Sequence, residues 1–336
     1  MPTRDDLKYF QRLPLDIKVA MTKQRIRETV SRYGVDDVYV SFSGGKDSTV
    51  LLDIVRKCYP TVEAVFVNTG LEYPEIQRFV STFENVRVIY PSMSFKAVIS
   101  EYGYPVISKE VAHALYYAKQ GKEWAIAQMK GSSEYNGKKS LFTYEKYYGL
   151  INTDFRISHK CCDIIKKSPA HSIGKVPFLG TQAAESRLRT KSWLKNGCNV
   201  FEGSYPYSAP LSFWTMQDIL RYIQTNCLSI SSVYGHIDAK NDQISIFDYL
   251  EGDVELCTTG CDRTGCIYCA FGAHKGRDEG RFKRLKETHP KQWKYCIEGG
   301  AYDDNGVWKP DNRGLGMRHV FDEINRIIGE DFIVYE

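Results

Sequence analysis

Apolar residues recur at helical spacing along much of the chain. Between residues 15 and 33 they lie four or seven positions apart among charged residues, at Leu15, Val19, Ile26 and Val30. Gly34 follows, so this spacing predicts an amphipathic helix that ends at the glycine. Similar patterns predict helices over 48–59, 108–130, 213–224, 281–297 and 319–328. The helix over 281–297 is expected to break near Pro290, because proline lacks the backbone N–H that a helix interior needs.

Four short apolar runs predict buried strands, at 38–42, 64–70, 86–90 and 176–181. The first two enclose a glycine pair and a helical run, which is the order of a βαβ unit. We therefore predict an α/β fold with three layers, α/β/α, around a mainly parallel sheet. The polar stretch 131–140 is expected to be a mobile loop.

The order of these patterns predicts three regions. They are an N-terminal helix (1–34), a central α/β domain (35–235) with an insertion at about 108–160, and a cysteine-rich, helical C-terminal region (236–336). The composition, 43% hydrophobic and 26% charged, is that of a globular chain and excludes a collagen or a coiled coil. No run approaches the roughly 18 apolar residues of a membrane span, and the first ten residues lack a signal-peptide core. We expect a cytoplasmic protein without a membrane partner.

Charge does not by itself indicate a polyanionic partner. The formal net charge of +4 is small, but residues 275–294 hold eight Lys/Arg against three Asp/Glu. Phe282, Trp293 and Tyr295 lie in or beside this stretch, and aromatic side chains next to cations suit single-stranded nucleic acid. Packed aromatics beneath a solvated basic face explain the stretch equally well, so nucleic acid stays an open partner.

The segment SFSGGKDST, residues 41–49, has the clearest chemistry. It lies where a predicted strand ends and a helix begins, so the backbone N–H groups of Gly44, Gly45 and Lys46 and the positive helix end predict an anion site. Lys46 is expected to supply a mobile charge. The remaining polar candidates of the segment are Ser41, Ser43, Asp47 and Ser48. The segment is not a Walker loop, because Val40 and Asp47 stand where that motif needs glycine and Ser or Thr.

The string SGGKDS resembles the loop of the N-type (PP-loop) ATP pyrophosphatases. Together with later segments it is similar to the phosphoadenosine phosphosulfate (PAPS) reductase superfamily, which has the adenine nucleotide alpha hydrolase fold. The resemblance covers residues 15 to about 297 and includes VNTGLEYPE (67–75), GTQAAESRLR (180–189) and PLSFWTMQDILRYI (210–223). Asn68 stands where the family has an aspartate.

The resemblance implies further nucleotide contacts, namely Asn68, Thr69, Gly70, Gly180, Glu185 and Ser186. It also implies that Arg187 and Arg189 face the nucleotide's phosphates, which agrees with the paired donors that a guanidinium offers to phosphate oxygens. With Lys46 and Asp47 these arginines are the predicted catalytic residues. ATP, or the sulfonucleotides APS or PAPS, is the expected nucleotide. Mg²⁺ is the expected ion, with Asp47 or Glu185 as its predicted ligands.

Six of the ten cysteines are clustered, and two metal sites are consistent with them. Four lie within 13 residues and suit a local zinc site: Cys257, Cys261, Cys266 and Cys269. Alternatively, the adjacent pair Cys161 and Cys162 joins the CxxC of Cys266 and Cys269. That second arrangement is similar to the tandem-Cys plus CxxC pattern by which assimilatory sulfonucleotide reductases bind a 4Fe-4S cluster, and it is the one we favour.

The reaction class is predicted from two features of the resemblance. The complete SGGKDS resembles the loop of family members that use ATP itself, whereas the family's reductases carry altered loops. Family reductases carry a nucleophilic cysteine in a C-terminal ECGLH-like tail, whereas the last cysteine here is Cys296, followed by Ile297, Glu298 and Gly299. We therefore predict ATP-dependent adenylyl transfer that releases pyrophosphate within a sulfur-transfer or thiolation reaction. Sulfonucleotide reduction and a non-catalytic nucleotide-binding subunit are the alternatives. A sulfur donor protein or sulfide, and a homo-oligomer or larger complex, are the expected partners.

Overall fold

The computed structural model describes residues 2–135, 138–140, 143–240, 254–274, 280–329 and 331–336. The chain forms two compact units, which are described separately. The first unit comprises Met1–Asn68, Glu72–Tyr90 and Pro169–Ile267. The second unit comprises Thr69–Leu71, Pro91–Ser168 and Tyr268–Glu336. The domain boundaries proposed from the sequence stay a prediction.

The elements alternate between helices and short strands. The α-helices described are α1 (Arg4–Arg12), α2 (Leu15–Tyr33), α3 (Lys46–Cys58), α4 (Pro74–Val80), α5 (Phe95–Tyr102), α6 (Lys109–Ala118), α7 (Glu123–Lys130), α8 (Ser168–His171), α9 (Arg187–Asn196), α10 (Met216–Thr225), α11 (Arg281–Thr288), α12 (Pro290–Ile297) and α13 (Met317–Ile328). Short 3₁₀ turns cover Glu145–Asn152, Ala183–Glu185 and Ser232–Tyr234, and a π-helical turn covers Asp163–Lys167.

The strands are short, and six of them form one sheet. They are β1 (Val38–Ser41), β2 (Ala64–Val67), β3 (Val86–Ile89), β4 (Val106–Ile107), β5 (Glu134–Tyr135), β6 (Lys138–Lys139), β7 (Val176–Leu179), β8 (Asn199–Val200), β9 (Tyr207–Ser208), β10 (Ile237–Ala239), β11 (Leu256–Thr258), β12 (Ala270–Phe271), β13 (Ala301–Tyr302) and β14 (Trp308–Lys309).

The six-stranded sheet belongs to the first unit and has the order β3-β2-β1-β7-β9-β8. All neighbouring pairs are parallel except β8 with β9. The central strand β1 is buried. Apolar core residues of this unit cover it, and α3 packs against it. The predicted α/β fold with a mainly parallel sheet and flanking helices is thus confirmed.

Two local predictions need correction. The helix expected over 108–130 is two helices, because the chain turns between α6 and α7 at Gly121, whose φ of +77° favours glycine. The polar stretch 131–140, expected to be a loop, contains β5 and β6, which pair antiparallel. Residues 136 and 137 between these strands lie outside the described residues.

The basic stretch of the second unit packs its aromatic residues inward. Phe282 in α11 is fully buried, and Trp293 in α12 is buried and donates its indole N–H to the Tyr335 carbonyl at 2.9 Å. Lys286 lies over the Trp293 ring. These two rings therefore cannot stack on a nucleobase, and the interpretation as packed aromatics beneath a basic face holds for them. Residues 275–279 of this stretch lie outside the described set.

No helix in the described ranges is both long enough and apolar enough to span a bilayer.

A buried ion pair joins α2 to α10 in the first unit. The Lys18 ammonium, 1% exposed, donates to the Asp218 carboxylate at 2.7 Å and to the Gln11 carbonyl at 2.7 Å. Asp218 also accepts the backbone N–H and hydroxyl of Thr215, which caps α10. Removing one partner of a buried ion pair leaves the other charge buried without a counter-ion, which is costly. This contact therefore fixes α2 against α10 in the first unit.

We predict that Lys18→Met destabilises the fold by about 3 kcal/mol, since Asp218 would stay buried without its counter-ion. The measurement is the free energy of unfolding in urea. The matched control is Lys8→Met, which removes a solvent-exposed pair with Asp5 and should leave the unfolding curve in place. Equal shifts for both variants would contradict the structural role of Lys18.

Candidate phosphate-binding site

The turn between β1 and α3 has the backbone of an anion site. Gly44 has a φ of +69°, and Gly45 is the N-cap of the 13-residue helix α3. A Cβ on Gly44 would lie 2.7 Å from the Val80 side chain and 2.8 Å from that of Ile76. Glycine is therefore required twice at this position, by the left-handed backbone and by the close approach of α4. The positive end of α3 is left facing the turn.

The serine hydroxyls hold the turn in shape. Ser48 Oγ donates to the Gly45 carbonyl at 2.9 Å, accepts the Ser43 backbone N–H at 3.2 Å, and lies 3.0 Å from Ser43 Oγ. Thr49 also donates its hydroxyl to the Gly45 carbonyl, at 3.0 Å. Ser48 and Thr49 are buried, whereas Ser43 is exposed. Ser43 is therefore the hydroxyl of this turn that is open to a ligand from solvent.

The lysine of the turn is not a mobile charge in this structure. Lys46 is 2% exposed, and its Nζ donates to the Asp262 carbonyl at 3.0 Å and lies 3.5 Å from Asp47 Oδ2. It also lies over the Tyr234 ring. The expectation of a free lysine was wrong because a later segment of the chain, distant in sequence, folds onto it.

A chain of polar contacts links the turn to the segment after β7. The side-chain amide of Gln182 donates to Asp47 Oδ1 at 2.7 Å, and its backbone N–H donates to Glu185 Oε1 at 3.0 Å. Glu185 pairs with Arg189, and Arg263 lies 3.7 Å from it. The structure therefore brings Asp47, Glu185 and Arg189 into one network, and their contact with a phosphate stays a prediction.

Other predicted residues have structural roles at this point. A Cβ on Gly180 would lie 3.1 Å from the Ser48 backbone, so the chain after β7 passes α3 closely and glycine suits this position. Ser186 caps α9 by accepting the Arg189 backbone N–H. Arg187 begins α9 and is exposed. Ser41 is the last residue of β1, paired with Val65 and Leu179.

The NTG tripeptide continues from the end of β2. The Asn68 backbone N–H donates to the Ile89 carbonyl at 2.8 Å, within the first unit. Thr69 is buried and accepts the Leu71 backbone N–H at 3.2 Å, and Gly70 has a φ of +71°; both belong to the second unit. The contact of these three residues with a nucleotide stays a prediction.

Sequence reasoning missed four residues of the network: Gln182, Tyr234, Arg263 and Thr264. Tyr234 is buried, and its hydroxyl lies 2.7 Å from Thr264 Oγ1. Burial raises the pKa of the Tyr234 phenol, despite the opposing effect of hydrogen bonds with Thr264 and with the Lys46 backbone. Gln182 lies inside the GTQAAESRLR segment and could have been identified from the sequence. Tyr234, Arg263 and Thr264 follow no recognisable spacing.

Two of the clustered cysteines lie close together within the second unit. Cys161 and Cys162 lie in the second unit with their sulfurs 4.0 Å apart, and the hydrogen bond from Cys161 is the main cause that lowers the pKa of Cys162 to about 6. A thiolate at neutral pH is what a soft metal ion needs. Within the described ranges, however, no three His, Cys, Asp or Glu side chains converge as a metal site. The pair suits two ligands of a cluster, and the full set stays a proposal.

Comparison with known proteins identifies the family. The family model described as phosphoadenosine phosphosulfate reductase domain matches residues 37–105 and 116–271, more than half of the chain. The chain belongs to the PAPS reductase family. The match includes the phosphate turn, the Gly180–Arg189 segment and the paired cysteines at 161 and 162. The resemblance inferred from the sequence is therefore confirmed at the level of the family.

Individual relatives are distant. An uncharacterised protein of Methanocaldococcus jannaschii is 25% identical over 130 residues, which are 36% of this chain and 32% of that protein. The chain thus spans about a third of this relative's length. Among solved structures, PAPS reductase from Candida auris in a phosphate complex is 14% identical with a TM-score of 0.36, covering 69% of this chain and 91% of that one.

FMN adenylyltransferase from Candida glabrata in complex with ATP is 12% identical with a TM-score of 0.37. That match covers 68% of this chain and 64% of that one. At such TM-scores these two likenesses carry no weight for the function of the present PAPS reductase family member.

We predict that Gly44→Ala destabilises the protein by about 2–4 kcal/mol, because the added Cβ meets Val80 and Ile76 and must adopt a left-handed backbone. Urea unfolding measures the effect. Gly34→Ala is the matched control: its φ is +91° but no atom lies within 4 Å of the new Cβ. The control isolates backbone strain, so a cost at Gly44 no larger than at Gly34 would argue against the close approach of α4.

Proposed function

We propose that the protein binds the polyphosphate of ATP at the turn between β1 and α3 and catalyses adenylyl transfer with release of pyrophosphate. The observation that carries the proposal is the turn itself. A left-handed Gly44, an N-cap Gly45 and Lys46 bring backbone N–H groups, a helix end and one ammonium to the same place. Such an arrangement favours a multiply charged phosphate over a neutral ligand.

In the proposed reaction an oxygen of the acceptor attacks the α-phosphorus of ATP. The bond from that phosphorus to the bridging oxygen of the β-phosphate breaks, and pyrophosphate leaves with the electron pair. A sulfur nucleophile from a donor protein or from sulfide then displaces AMP from the adenylated acceptor. A nucleic acid remains a proposed acceptor. Phe282 and Trp293 have no stacking role in its binding, because both are buried.

The residues of the first unit have distinct roles in this proposal. Lys46 and the amides of the turn hold the leaving pyrophosphate, while Arg189, Arg187 and Arg263 stabilise charge on the phosphate oxygens. Arg189 and Arg263 now share Glu185, so an arriving phosphate competes with that carboxylate for them. Gln182 orients Asp47, which we propose as the ligand of a Mg²⁺ ion bound with the nucleotide.

We propose the cysteines Cys161, Cys162, Cys266 and Cys269 as the ligands of a 4Fe-4S cluster, with zinc as the alternative metal. The short sulfur–sulfur distance at Cys161 and Cys162 and the lowered pKa of Cys162 support this donor set. Such a cluster would supply electrons or a sulfur-binding iron. Iron and acid-labile sulfide, assayed on protein purified without air, test the proposal, and a colourless protein containing one zinc would overturn it.

Sulfonucleotide reduction is the second candidate, which the family match favours. That reaction needs a cysteine able to reach the substrate as a thiolate. The last cysteine of this chain, Cys296, is fully buried beside Met317, and burial raises its pKa well above the ordinary value. Cys296 therefore does not suit the role of a mobile nucleophile.

The lysine variant tests the proposed function. We expect Lys46→Met to lower pyrophosphate release from ATP by about 100-fold or more, because one preorganised donor to developing phosphate charge is lost. The matched control is Lys195→Met, an exposed lysine in α9, which should retain full activity. The assay follows pyrophosphate from ATP, and sulfite from APS or PAPS in parallel. Sulfite formation without pyrophosphate release would favour the reductase instead.

A further inference from the structure

Polar groups from later parts of the chain lie against the phosphate turn at Lys46 and Gly45. The Lys46 Nζ donates to the Asp262 carbonyl at 3.0 Å, and the same ammonium lies over the ring of Tyr234, whose hydroxyl is 2.7 Å from Thr264 Oγ1. A Cβ placed on Gly45 would lie 3.2 Å from that hydroxyl and 3.6 Å from Thr264 Oγ1. The hydroxyl pair of Tyr234 and Thr264 therefore lies directly against the phosphate turn, where a ligand's oxygens would have to be.

The segment that supplies these oxygens, residues 260–264, has no regular secondary structure. Its start is fastened by two backbone bonds, from Gly260 to the Tyr234 carbonyl at 2.9 Å and from Cys261 to the Val233 carbonyl at 3.0 Å. The Thr258 hydroxyl also donates to the Cys261 carbonyl at 3.1 Å, and Cys261 packs against the core. The outer side of the segment is solvent: Asp262 and Arg263 are exposed although the Lys46 beneath them is buried. The part from Asp262 to Thr264 is thus a thin layer, held to the turn by the bond of Asp262 to Lys46, the pairing of Arg263 with Glu185 and the bond of Thr264 to Tyr234. These polar contacts, without buried apolar surface, are what must break for it to move.

We propose that residues 260–264 are a displaceable cover of the phosphate turn, in which the Asp262 carbonyl and the Tyr234–Thr264 hydroxyl pair stand in for phosphate oxygens. This inference rests on the proposed function for its ligand class, a polyphosphate. A phosphate oxygen is ionised and makes stronger bonds to Lys46 than a neutral carbonyl does, so the exchange is favourable. A ligand can bind only to molecules in which the cover is open. The apparent affinity for the polyphosphate is therefore the intrinsic affinity multiplied by the open fraction.

A test without nucleotide measures how fast an amine-reactive reagent labels Lys46, with the site quantified by mass spectrometry. Thr264→Val removes the bond to Tyr234, and we expect it to speed the labelling several-fold because the cover opens more often. Gly260→Ala is the stronger variant, since its Cβ would meet the Val233 carbonyl oxygen at 2.5 Å. Thr288→Val, which removes a hydroxyl bond within α11, is the control. Unchanged labelling in both cover variants overturns the proposal.

A second test uses pyrophosphate as the probe. If the cover is displaced, the amides of Gly260 and Cys261 exchange hydrogen faster when pyrophosphate is bound, and Thr264→Val binds pyrophosphate several-fold more tightly. Slower exchange, or weaker binding by Thr264→Val, means that the segment clamps the ligand and overturns the proposal. If wild type and Thr264→Val both fail to bind pyrophosphate, the proposed function fails, while the labelling of Lys46 still decides whether the cover exists.

Discussion

The site depends on one constraint. The backbone N–H groups in the first turn of α3 have no hydrogen-bond acceptor within the helix itself. The buried strand β1 holds this helix end at the edge of a parallel sheet, and Gly44 gives the chain the left-handed turn needed to reach it. Because these donors are close together and carry the positive end of the helix, they require oxygen acceptors from a ligand or from the protein itself.

The remaining polar residues of the first unit are arranged around that requirement. Gln182 joins the carboxylate of Asp47 to Glu185, and Glu185 in turn holds Arg189 beside Arg263. Each of these cations is therefore paired with a carboxylate of the protein. An arriving polyphosphate finds the arginines already near the turn, so less ordering of long side chains is required when it binds.

The cover connects the phosphate turn to the cysteine-rich part of the chain. Cys257 belongs to β11, which leads directly into the segment over Lys46, and Cys261 lies within that segment. The same stretch therefore contains candidate metal ligands and the oxygens that satisfy the turn. Beyond Cys261, which packs against the core, its residues Asp262, Arg263 and Thr264 have little apolar surface to bury, which suits a segment held by polar contacts.

The sequence by itself determined the α/β fold and the place of the phosphate turn, because strand and helix periodicity and a glycine pair are local properties of the chain. The family followed from the resemblance of its motifs, beginning with SGGKDS. The sequence also located Glu185 and Arg189 through one motif. Only the tertiary structure decided that Lys46 is buried beneath Asp262, that Tyr234 and Thr264 lie against the turn, and that Phe282 and Trp293 pack inward. These contacts join residues far apart in sequence, and no periodicity records which distant carbonyl or hydroxyl will meet a given donor.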